Sequence, residues 1–188
     1  MYFVDDHTTQ TLEIKQSKFI AHLIPYLLYK ETLHSLKQSH PKARHFVVAY
    51  RHLNEFQQIV EHSSDDGEPK GTSGKPTLMV LQGADMINTA IIIVRYFGGT
   101  KLGTGGLVRA YSDATNNVLK LAEIKEYKHE IFKTICFEYT HLRKIEYECS
   151  TCSIDIVEKV FSDTTQFKLK SDKTSLNKLF SKIERLIK

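Results

Sequence analysis

Tryptophan is absent from the chain, and nothing in it matches an RRM-type aromatic signature, so sequence-specific base stacking is not indicated. Cysteine is scarce. Cys136, Cys149 and Cys152 are odd in number and too few for a disulfide-stapled scaffold, which points to a reducing, cytoplasmic setting. Long apolar runs are missing too: the longest, Ala90–Val94, falls far short of the roughly 20 residues a bilayer-spanning helix needs. The opening MYFVDDHTTQ carries Asp5 and Asp6 and has neither a basic start nor an apolar stretch, so no secretory signal is expected. Charge of one sign is not in large excess. With 26 Lys and Arg against 22 Asp and Glu, the net charge of +4 does not by itself argue for nucleic acid. At 188 residues and 41% hydrophobic, the chain has the composition of an ordinary globular protein of one large or two small domains.

What is present is unevenly placed. All nine glycines fall between Gly67 and Gly106. The basic residues also cluster. Residues 69–112 hold Lys70, Lys75, Arg95, Lys101 and Arg109 against the single acid Asp85, and residues 163–188 hold seven basic side chains against three acidic ones. Strands are expected at Thr9–Lys15, Lys18–Pro25 and Ala43–Tyr50, with a short helix at Lys30–Gln38. TAIIIVRY, Thr89–Tyr96, reads as a strand buried on both faces, because its β-branched residues do not alternate with polar ones. Residues 103–123 read as a helix, with Leu107, Tyr111, Ala114, Val118 and Leu121 at steps of four and three. Thr72-Ser73 ahead of Gly74-Lys75-Pro76 suggests a second helix start with a hydroxyl cap, ending at Gly83. The charged stretch Ala122–Lys128 marks a boundary between domains 1–125 and 128–188. Beyond it, strand 130–138, helix 140–149, strands 153–161 and 164–170 and helix 174–187 give a βαββα sandwich of the α+β class.

The stretch VRYFGGTKLGTGGLVRAY, residues 94–111, delivers a buried strand through a glycine-rich turn into a helix start. Glycine is unfavourable in a helix by up to about 1 kcal/mol, so something other than helix stability selects Gly103, Gly105 and Gly106. Free amides of a first turn, the helix dipole and close backbone approach make an anion cradle, with Gly98, Gly99, Arg95, Lys101 and Arg109 as its other members. No P-loop or dinucleotide fingerprint fits: Gly74-Lys75 has Pro69 and Pro76 where glycine and Ser or Thr belong, and Val108 stands where a third dinucleotide-type glycine would. A second anion-contacting loop is expected from Lys70, Ser73, Gly74 and Lys75, next to a helix start. Asp65, Asp66 and Glu68 match no metal-loop spacing, and turn formation explains them more simply, so no metal or other cofactor is expected. Arg44-His45 leads into a strand, where His45 could move a proton with Asp66 orienting it. The CxxC at Cys149 and Cys152 lacks the further ligands or the fold context that zinc or redox chemistry requires, and core packing is expected of it.

SDDGEPKGTSGKP and VRYFGGTKLGTGGLVRAY, with SKFIAH at 17–22 and HPKARHFVVAY at 40–50, closely resemble the IMPACT/YigZ family over residues 1–125. The remainder is similar, more weakly, to the small C-terminal domain of bacterial members. The resemblance implies a first domain like domain IV of elongation factor G and a ferredoxin-like second domain, both pointing to RNA or the ribosome. Because the chain stops at Lys188, the last strand of a ferredoxin-like unit is expected to be missing. The family's eukaryotic member restrains the starvation-activated kinase of initiation factor 2 by competing for that kinase's ribosome-associated activator. This chain is expected to lack the extra N-terminal domain that carries much of that interaction, so the resemblance does not carry the regulatory role over intact.

The function expected is that of a non-catalytic, cytoplasmic protein that binds nucleic acid or the ribosome and regulates translation, acting as a monomer, away from membranes, with a translation-associated protein as a further partner. The alternatives are an enzyme acting on a phosphorylated small molecule and a protein adapter. A closed pocket of a few hundred Å³ would favour the enzyme, and an open groove would favour the polymer.

Overall fold

The computed structural model describes residues 1–187, which run β1 (Tyr2–Phe3), β2 (Thr8–Ile14), β3 (Ser17–Pro25), α1 (Tyr29–Ser39), β4 (His45–Leu53), β5 (Ile59–Ser64), α2 (Gly74–Gly83), β6 (Thr89–Tyr96), α3 (Gly103–Leu121) and β7 (Lys125–Glu126). There follow β8 (Glu130–Phe137), α4 (Leu142–Thr151), β9 (Asp155–Phe161), β10 (Thr165–Asp172) and α5 (Lys173–Ile183). The chain is mixed α+β and folds as two compact units that divide between Tyr127 and Lys128.

In the first unit β2-β3-β6-β4-β5 form a five-stranded sheet whose neighbours are all antiparallel. β6 is central and buried along its length, as its unbroken β-branched sequence predicts. Period-two alternation splits it between two cores. Ile91 and Ile93 join Phe19, Leu23 and Val47 beneath α2 and α3, while Ala90, Ile92 and Val94 join Phe46, Val48 and Leu36 of α1 on the other face. β1 pairs with β7, tying the start of this unit to its end. The register sets His45 opposite Arg95, so both side chains emerge on the face that carries α2 and α3.

In the second unit β8, β10 and β9 lie in that order, antiparallel, over a core of Phe137, Phe167, Ile145, Leu176 and Leu179. Asp172 caps α5 by accepting from the amides of Thr174 and Ser175. α5 is shorter than the sequence suggests. The chain turns after Ile183 and Ile187 meets Phe137 in an antiparallel bridge along β8, so Ile187 lies outside the helical stripe. Cys149 and Cys152 belong to this core, and burial, followed by the neighbouring Cys152, pushes the Cys149 thiol up to about 11. Under native conditions at pH 8, alkylation is expected to label half-buried Cys136 first, and Cys149 only after unfolding, as mass spectrometry of a time course would show.

Candidate anion site at the start of α3

The amides that lead into α2, those of Gly71, Ser73 and Gly74, are not free for an anion. Asp65 reaches over them: its Oδ1 accepts from Gly74 N at 2.8 Å and Ser73 N at 3.2 Å, and its Oδ2 accepts from Gly71 N at 2.7 Å. The Ser73 hydroxyl also donates to Asp65, at 2.7 Å, and does not cap the helix itself as the sequence suggests. Burial opposes the charge of Asp65, but these four donors together outweigh it and hold the carboxyl below its ordinary range. The second anion loop expected from Lys70, Ser73, Gly74 and Lys75 is therefore filled by the chain's own carboxylate. Gly74 is needed for another reason, since a Cβ there would lie 2.8 Å from the Ser64 backbone.

Arg95 also departs from expectation. It is buried, with Nη1 donating to Glu68 Oε1 at 2.5 Å, and the same oxygen accepts from the Tyr111 hydroxyl at 2.8 Å. Its guanidinium lies over the rings of Phe19 and Phe97. Glu68 thus cancels a charge expected to face a ligand. The third acid of the loop, Asp66, accepts from Phe46 N through its carboxylate, while its backbone carbonyl accepts from His45 Nδ1 at 2.8 Å. That bond fixes a proton on Nδ1 of His45, and the Asp66 carboxylate does not orient the ring. Arg44 is exposed just before β4.

The glycine turn divides by role. A Cβ at Gly98 would lie 2.0 Å from the Gln16 carbonyl carbon, so this glycine lets the turn press against the β2–β3 hairpin. Gly99 and Gly103 hold positive φ, at 84° and 76°. Gly105 sits in the first turn of α3 with open space around it, and neither sterics nor φ demands a glycine there. α3 has no side-chain cap, unlike α2 under Asp65 and α5 under Asp172.

At this uncapped start lies a cavity of about 340 Å³. Arg95, Lys101, Gly103 and Thr104 form its polar walls beside Glu68, and Pro69, Phe97, Leu102 and Leu107 form the apolar ones. Arg95 Nε is buried without a hydrogen-bond partner, one of two such side-chain atoms among the described residues. Of the residues expected in the cradle, the structure brings Arg95, Lys101 and Gly103 to one cavity. Lys70, Lys75 and Arg109 are exposed and lie outside its walls. Thr104 and Phe97 were not visible as site residues in the sequence; an aromatic next to Gly98-Gly99 was the only available signal.

The Impact N-terminal domain matches residues 15–119, a span that includes the whole cavity. The chain belongs to the IMPACT family. An IMPACT family member of Haemophilus influenzae is 39% identical over 157 residues, covering 79% of this chain and 74% of that protein. IMPACT family member YigZ of Escherichia coli is 38% identical over 150 residues, covering 77% and 72%. A crystal structure of a hypothetical protein superposes with a TM-score of 0.64 at 31% identity, over 97% of this chain and 90% of that one. No helix among the described residues of this IMPACT chain is long and apolar enough to cross a membrane, and no group of three His, Cys, Asp or Glu among them is placed to hold a metal.

Proposed function

We propose that this IMPACT family member is a non-catalytic, cytoplasmic RNA-binding protein that acts in the regulation of translation, docking phosphate at the start of α3. One observation carries it: an uncapped, glycine-rich helix start opens on a cavity that also holds Lys101 and an arginine with an unpartnered donor. Lys75 and Arg109 add to it. α2 and α3 cover the same face of the sheet, so their exposed side chains share one side of the unit, and neither forms an ion pair among the described residues. The link to translation comes from the role that family resemblance implies.

The fold likenesses belong to the same proposal. A five-stranded sheet with helices on it is compatible with domain IV of elongation factor G. The order β8-β10-β9 is that of the first three strands of a ferredoxin-like unit, with Ile187 bridging to β8 where a fourth would lie.

Salt dependence tests the reading. If four phosphates of a single-stranded RNA are neutralised, log affinity should fall against log salt with a slope of about −3, and Lys101→Ala should reduce that slope by about 0.7. A slope near zero would reject the electrostatic site. The cavity volume favours a second reading, an enzyme acting on a phosphorylated small molecule, since 340 Å³ falls within the range of small-ligand pockets. Against it, Glu68, the carboxylate on the walls, already accepts from Arg95 and Tyr111. Turnover of a phosphorylated metabolite that is lost in Lys101→Ala would favour the enzyme.

A further inference from the structure

Resting on the RNA-binding reading, we propose that the cavity at the start of α3 holds one terminal nucleotide of an RNA strand that carries a 5′-phosphate. Its phosphate lies against the first turn of α3 and its base on the ring of Phe97.

Four observations converge. The cavity has two chemically distinct sides: Lys101, Gly103 and Thr104 offer a cation, helix-start amides and a hydroxyl, while Pro69, Phe97, Leu102 and Leu107 offer apolar surface. A nucleotide has the same division, with an anionic end and a flat, apolar face. Phe97 keeps 54% of its surface exposed although it is a large hydrophobic residue, and it stands where β6 ends, on the wall of the cavity. Aromatic rings placed in this way stack bases without regard to sequence. Arg95 holds a buried donor, Nε, with no partner, while its Nη1 donates to Glu68. Gly105, in the first turn next to the cavity residue Thr104, has open space around its Cα, a glycine that helix stability alone would disfavour.

The geometry points to a chain end because the donors lie together in one cavity at one helix start, where a continuous backbone would need a row of them. The charge agrees. A phosphomonoester carries about −1.5 to −2 at neutral pH, against −1 for an internal diester, so a helix dipole and a single lysine favour the terminal group. Beyond the first nucleotide, exposed Lys75 and Arg109 lie on the side of the unit where α2 and α3 pack.

The test uses the full chain and three probes: a short single-stranded RNA with a 5′-phosphate, the same RNA with a 5′-hydroxyl, and adenosine 5′-monophosphate as competitor, read by fluorescence anisotropy of a 3′ label. The phosphorylated RNA is expected to bind about tenfold or more tightly than the hydroxyl form, since charge-assisted hydrogen bonds are lost without the phosphate, and the mononucleotide should displace it. Phe97→Leu and Lys101→Ala should each erase most of the difference; both residues are exposed, and circular dichroism will show whether the fold is kept. Equal, salt-sensitive binding of the two RNAs would overturn the terminal-nucleotide site and leave the backbone reading standing. Unchanged anisotropy with either RNA would overturn both the terminal-nucleotide site and the RNA-binding reading.

Discussion

Replacing Glu68 with alanine is expected to destabilise the first unit by about 3–5 kcal/mol, because it strands the Arg95 charge inside the protein. The two side chains keep 6% and 3% of their surface, and 2.5 Å separates Nη1 from Oε1, so solvent screens the pair little. Tyr111 loses its acceptor in the same step. Burial first, and then the Glu68 charge, raise the Tyr111 hydroxyl above its ordinary range, so it remains a protonated donor that needs a partner. Glu68→Gln should fall in between, since it can still accept from Tyr111 but leaves the guanidinium uncompensated. The double variant Glu68→Met/Arg95→Met should recover part of the loss, because two apolar chains beside Phe19 need no charge balance while the Tyr111 hydroxyl stays without its acceptor. Urea unfolding followed by circular dichroism reads all four proteins, and tryptophan fluorescence is not an option in this chain. A cost below about 1 kcal/mol for Glu68→Ala would show that Arg95 reaches water and that the pair behaves as a surface one.

The contrast between Arg95 and Lys101 shows what the sequence could and could not display. β6 was legible to the residue, because Thr89–Tyr96 is an unbroken β-branched run, and α3 was legible from its steps of three and four. β5 was not expected: Ile59–Ser64 is a polar edge strand held by backbone pairing to β4, and it buries little that a pattern could reveal. β1 and β7, two residues each, carry no period at all. At the site, the glycine cluster pointed to the right turn, but partner choice was hidden in the fold. Glu68 and Tyr111 lie 27 and 43 residues apart from their contacts in this network, and nothing local announces that a carboxylate will reach Arg95 before any ligand does. Asp65 shows the same limit at shorter range, since its spacing suggested a turn whereas its carboxylate takes up the start of α2.

A second large effect is expected from His22, on the face of the sheet opposite α2 and α3. Burial, and then the neighbouring His7 and His40, lower its pKa from 6.5 to about 4, so the folded protein keeps the ring neutral. Its Nδ1 lies 3.0 Å from His7 Nε2 and 3.1 Å from Thr9 Oγ1, and its Nε2 is buried without a partner. The sign follows from which state binds the proton. Above pH 6.5 neither state is protonated at His22 and the residue contributes no pH dependence. As pH falls from 6.5 towards 4, the unfolded chain takes up a proton that the folded chain refuses, and stability drops by about 1.4 kcal/mol per pH unit, to a total loss of about 3 kcal/mol. Below pH 4 both states are protonated and this contribution levels off. His7, whose pKa burial also lowers, acts in the same direction. His22→Asn can keep a polar group near His7 and Thr9 but cannot titrate, so the gap between its stability and that of the wild type should change by about 3 kcal/mol between pH 7 and pH 4. Parallel stability curves for the two proteins, from urea unfolding at closely spaced pH values, would show that the His22 ring takes up a proton without strain and that its burial between His7 and His40 has been misread.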